Sequence, residues 1–211
     1  MYALFLKFYY NVIMKKLSSY LLLIFLSFSM FSFADDISEY EIEGISIGDS
    51  LLNYLSKEEI VKEIEINKPF YNYLSSDFGE VYLFSEFKEY QTLSFFVKPN
   101  DKKYIIYFIK GSNPYDNKHD QCLAKQEEIA KEFSKIFINA KKDEYSLKYD
   151  WDKTGKSKTY NITFYLESGG YAEVNCSKYE KKIKLENNFR DSLQVVIGAE
   201  EILDWFDNPI N

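Results

Sequence analysis

Residues 117–140 read NKHDQCLAKQEEIAKEFSKIFINA. Wound at 3.6 residues per turn, Cys122, Ile129, Phe133, Ile136 and Ala140 fall on one stripe, and charged residues fill much of the remaining surface. This is the clearest helix of the chain, and its apolar stripe needs a surface to cover. The flanking sequence supplies that surface as strands. Before the helix come EVYLFSEF (80–87), YQTLSFFVK (90–98) and KKYIIYFIK (102–110), and short polar turns between β-rich runs predict antiparallel hairpins. After it, EYSLKYDW (144–151) places Tyr145, Leu147, Tyr149 and Trp151 on one face, and KTYNITFYLE (158–167) does the same for Tyr160, Ile162, Phe164 and Leu166. In GGYAEVNCSKY (169–179) the alternating set is Ala172, Val174 and Cys176. For these two faces to coincide, Leu166 must pair with Ala172 and Phe164 with Val174, around a three-residue Ser168-Gly169-Gly170 loop holding a left-handed glycine.

The cysteines fit the same picture. Cys122 lies on the helix stripe and Cys176 on a strand face, so both point into one interior. An even pair in an exported chain predicts a disulfide, worth about 4 kcal/mol for a loop of this length in the chain-entropy model. Around this core the pattern predicts a first strand over ISEYEIEGISIG (37–48), a helical turn at DSLLNYL, and a helix opening at Ser56 with Glu59 in capping-box spacing. A further strand, DSLQVVIG (191–198), precedes a closing helix at AEEILDWFDN (199–208). The expected fold class is α+β: an antiparallel sheet of hairpins packed against one long amphipathic helix, with short helices near both ends. The many Tyr and Phe residues fit half-buried strand pairs. A sugar-stacking face would also use them, but nothing in the sequence sets two exposed rings side by side.

Residues 1–34 are expected to direct export. Lys15 and Lys16 precede an apolar run from Tyr20 to Phe33 that ends at Ser32-Phe33-Ala34, the layout of a bacterial secretory signal peptide. The run is short for a membrane span, which needs about 20 residues. Residues 1–13 lie upstream of a complete signal that starts at Met14. The remainder, 35–211, reads as a single domain, periplasmic or secreted, with no stable membrane anchor once the signal is cleaved. Without Lys7, Lys15 and Lys16 the 26 basic residues become 23 against 33 acidic ones, a net charge of −10. That acidity argues against nucleic acid as a partner. Arg190 is the chain's sole arginine, so bidentate recognition of phosphate or carboxylate is not expected.

One motif carries chemistry on its face. Gly48-Asp49-Ser50-Leu51 resembles the signature of GDSL-type ester hydrolases, in which the Ser is the nucleophile. The resemblance implies that Ser50 attacks, that His119 acts as base within Asp116-Asn117-Lys118-His119, that Asp116 orients it, and that Asn113 binds the oxyanion. Gly79 is the one candidate for the family's middle glycine. Against this, the D-x-x-H begins three residues after Asn113, some 90 residues follow it, and the strands read as antiparallel rather than doubly wound. The local alternative is a turn at Gly48, a cap from Asp49 or Ser50, and Leu51, Leu52 and Leu55 burying the turn. His119 and Cys122 lack the further ligands of a zinc site, so no metal or cofactor is expected. The reading is a non-enzymatic exported binding or interaction module, with a serine ester hydrolase on Ser50 and His119 as its alternative. An inhibitor or chaperone-like role would require a large exposed apolar patch.

Overall fold

The computed structural model describes residues 36–210. The expected signal peptide over 1–34 therefore lies outside the described residues. No helix among them is long and apolar enough to cross a membrane.

The first expected strand is instead a two-residue hairpin, β1 (Glu41–Ile42) with β2 (Ile45–Ser46). Its turn residues, Glu43 and Gly44, both have positive φ, the geometry of a tight primed turn. Helix α1 (Lys57–Asn67) opens with the expected capping box between Ser56 and Glu59. Then come β3 (Gly79–Leu83), β4 (Thr92–Val97), β5 (Ile106–Pro114), α2 (His119–Ile136), β6 (Lys141–Lys148), β7 (Lys158–Tyr165), β8 (Tyr171–Lys178), α3 (Lys181–Asn187), β9 (Ser192–Gly198) and α4 (Glu200–Asp207). Seven strands form one wholly antiparallel sheet in the order β3-β4-β5-β9-β8-β7-β6. The last strand in sequence sits in the middle and joins two three-strand meanders.

Helix α2 meets one face of this sheet. Cys122, Ala130 and Phe133 share a core with Ile162, Phe164, Ala172, Val174, Cys176, Leu193, Val195 and Ile197. Each fully buried Val, Leu, Ile or Phe side chain among these contributes about 1.5–3 kcal/mol. The Cys122–Cys176 disulfide ties the first turn of α2 to β8, with the Cα atoms 6.0 Å apart. The β7–β8 register differs from expectation by two residues: Phe164 faces Ala172 and Ile162 faces Val174. A slip of two leaves every side chain on its expected face, so Cys176 still points at α2. The loop remains three residues, now 167–169, and Gly169 carries the left-handed φ of +95°.

The opposite face holds a second core that the expected fold lacks. Phe96, Phe108, Tyr171 and Val196 pack under Ile202 and Trp205 of α4, with Leu74 and Phe78 beside them. Strands buried on both faces lose the polar alternation, and TLSFFV and SLQVVIG show that loss. At the sheet edge, α1 covers β3: Glu63 accepts from the Tyr82 N–H, and Asn67 donates to the Glu80 carbonyl. A Cβ at Gly79 would meet Ile64 at 2.7 Å, so glycine is what lets β3 approach α1. The far edge, β6, is exposed and carries Lys141, Lys142 and Lys148, which discourage further strand pairing.

A buried ion pair bridges β3 and β5. Glu80 accepts from Lys110 at 3.0 Å and from the Tyr71 hydroxyl at 2.7 Å, and its side chain is 2 % exposed. Burial alone would raise the carboxyl pKa; the Lys110 charge and the Tyr71 O–H outweigh it and hold it low. A lowered folded pKa stabilises the fold above the ordinary carboxylate range, and that stability is lost as pH falls through the depressed value. Glu80→Gln is expected to cost about 3 kcal/mol at neutral pH, because it strands the Lys110 charge, and to flatten the acid limb of the stability curve. Urea unfolding of both proteins across the acid range checks this; equal acid sensitivity would contradict it.

Candidate functional site

The four residues aligned with the hydrolase pattern do not converge. Ser50 forms an isolated antiparallel bridge with Ile105, just before β5, and its Oγ donates to the Lys103 carbonyl at 2.6 Å. Asn113 lies eight residues further along, near the end of β5, about 25 Å away at roughly 3.3 Å per residue. There its amide bonds the Glu89 carbonyl and the Gln91 N–H. Asp116 accepts from Arg190 Nε at 2.7 Å and from the Asp191 N–H at 3.0 Å. His119 opens α2 and packs its ring on Tyr160, centroids 5.0 Å apart. The expected local cap also differs. Ser50 precedes the short 3₁₀ turn Leu51–Asn53 without a side-chain cap bond, and Asp49 accepts from the Ser46 N–H instead. Of the three leucines expected to bury the turn, Leu51 is fully buried and Leu55 half-buried, whereas Leu52 is 41 % exposed.

Asp116 and His119 do share a surface. A cleft of about 1310 Å³ opens where the N-terminus of α2 meets the ends of β7 and β8, helix α3 and the approach to β9. Seven of its residues are cationic: Lys118, Lys156, Lys158, Lys178, Lys181, Lys184 and Arg190. Four are acidic, and three of those are committed locally. Asp116 holds Arg190 and the Asp191 N–H; Asp191 holds Lys184 at 2.8 Å and the Tyr179 N–H; Glu180 caps α3 through the Lys182 and Ile183 N–H groups. Lys118, Lys156, Lys158, Lys178 and Lys181 make no ion pair with a described carboxylate.

Two features add to this positive balance. Helix α2 begins without a side-chain cap, so its first N–H groups and the positive end of its dipole face the cleft among Lys118, His119 and Asp120. His119 also reports the field: burial first, and then the charge of Lys178, lower its pKa below the ordinary histidine value, which favours the neutral ring. Tyr179 and Phe189 line the cleft with centroids 5.1 Å apart, and beyond the lining Tyr149 and Trp151 stack on Tyr179 at 5.3 and 6.2 Å. Trp151 is 49 % exposed and Phe189 38 %. Two partly exposed rings thus stand side by side, an arrangement the sequence did not disclose.

Comparison with known families, curated proteins and solved structures gives no match to this chain. Among the described residues no group of three or more His, Cys, Asp or Glu is placed to hold a metal ion.

With Ser50 bonded to Lys103 and far from Asn113, a fluorophosphonate probe is expected to leave the folded, oxidised protein unlabelled. Labelling that disappears in Ser50→Ala would contradict this geometry.

Proposed function

We propose that this chain is an exported, non-enzymatic binding module that takes a compact anionic group, carboxylate or phosphate, into the lysine-rich cleft. In this reading the signal peptide delivers it to the periplasm or beyond, where the disulfide is stable. The long amphipathic helix on the hairpin sheet then acts as a rigid mount for the cleft wall. The observation that carries the proposal is local charge inversion. A chain of net charge −7 gathers seven cations around one cleft and engages three of the four acids there with one another's neighbours. The uncapped α2 terminus supplies directed N–H donors on the same wall. The acidic remainder of the protein repels long polyanions, which favours a discrete anionic group over nucleic acid. The half-exposed Phe189 and the Tyr179 ring offer apolar contact to whatever carries that group.

Citrate and inorganic phosphate serve as minimal probes in calorimetric titration at low ionic strength. At least one is expected to bind saturably, more weakly as salt rises, and to lose roughly tenfold in affinity when Lys158 and Lys178 are both changed to Glu. Lys102→Glu, on an exposed turn outside the cleft, is expected to change little. No saturable binding by either probe, or equal loss in both variants, would overturn the proposal.

A further inference from the structure

The sheet face turned away from α2 carries its own unexplained chemistry. Glu173, Asn175, Thr163 and Gln194 alternate along their strands with the residues that pack on α2, so they point the other way. Helix α4 covers only part of this face. Where the cover ends, a cavity of about 270 Å³ is walled by Tyr145, Tyr165, Tyr171 and Phe206.

Its polar groups are held in place before any ligand arrives. One Glu173 oxygen accepts from the Thr163 hydroxyl at 2.7 Å and from the Tyr145 hydroxyl at 3.2 Å; the other accepts from Asn175 Nδ2 at 2.9 Å. All three donors are neutral. Lys110 also lines the cavity, but its charge is matched by Glu80.

One polar atom of this lining is orphaned. Asn175 is 6 % exposed, and its Oδ1 has no partner. Buried orphans are rare because they cost stability, and this one lacks a donor. A hydroxyl supplies one.

We infer that this cavity is a second binding site, independent of the lysine-rich cleft, for a neutral sugar ring. Aromatic walls suit the C–H faces of such a ring, while the carboxylate and amides suit its hydroxyls. An anion would be opposed by Glu173. A cation would find Glu173 already bonded to three donors. The volume lies at the lower limit for small-ligand pockets, which favours one ring over a chain.

The test is ¹H–¹⁵N NMR of the oxidised protein, titrated separately with D-glucose, D-galactose and N-acetyl-D-glucosamine. At least one is expected to give saturable shifts at the side-chain amides of Asn175 and Gln194. Affinity is expected to fall roughly tenfold in Tyr145→Phe, which frees one restraint on Glu173, and to hold in the paired Lys158→Glu, Lys178→Glu variant. Gln194→Leu gives a second variant, and the wild-type titration decides by itself if either fails to fold. No saturable shift with any of the three sugars, shifts confined to the lysine-rich cleft, or a response only to tetramethylammonium would overturn the inference.

Discussion

The attachment of α2 to β8 is the constraint on which both the core and the cleft depend. It has a covalent part and a polar part. The Cys122–Cys176 disulfide fixes the first turn of the helix. One turn on, the buried Gln126 donates through Nε2 to the Tyr160 and Val174 carbonyls, at 2.7 and 2.8 Å, and so spans β7 and β8. Below these, Phe133 packs edge-on to Phe164. A buried amide that found no such carbonyls would be strongly unfavourable, so this bond also selects the helix's position along the sheet. Because Cys122 lies only three residues after His119, fixing it places the open N-terminus of α2 at the ends of β7 and β8, where the lysines stand.

The two faces of the sheet then differ in electrostatic character for a structural reason. On the cleft side, Asp116 and Asp191 tie the 115–118 segment to the turn before β9, and their negative charge is absorbed by Arg190 and Lys184. The remaining lysines act with little local opposition. On the far side, charges are few: Glu80 is matched by Lys110, Glu173 is held by neutral donors, and polar groups predominate. One fold therefore presents a lysine-rich surface at one end of its strands and a polar, aromatic-walled cavity on one face.

Much of the framework was legible in the sequence, and the illegible parts share a cause. The stripe through Cys122 and Phe133, the alternation around Cys176 and the Ser56–Glu59 box are local patterns, and each is found in the structure. Gln126 was not legible, because a polar residue on an apolar stripe declares its role only when two strand carbonyls stand opposite. The β7–β8 register is off by two because parity, which the pattern encodes, is insensitive to an even shift. The second core was hidden because the doubly buried strands lack a regular polar alternation and so name no partner face. The cleft was invisible for a simpler reason: its cations come from residues 118, 156–158, 178–184 and 190, and only the topology brings them together. Gly48-Asp49-Ser50-Leu51 shows the converse, letters of a catalytic motif serving a junction between a hairpin and β5.

Hydrogen exchange of the oxidised protein, compared with a Cys122→Ser, Cys176→Ser variant and paired with citrate and phosphate titrations of each, tests most directly whether the seating of α2 builds the cleft. The account predicts that the variant loses amide protection first in α2 and at the ends of β7 and β8, and loses anion binding with it, while β3, β4 and β5 stay protected. A variant that exchanges freely in α2 yet binds the anion as well as the oxidised protein does would contradict it.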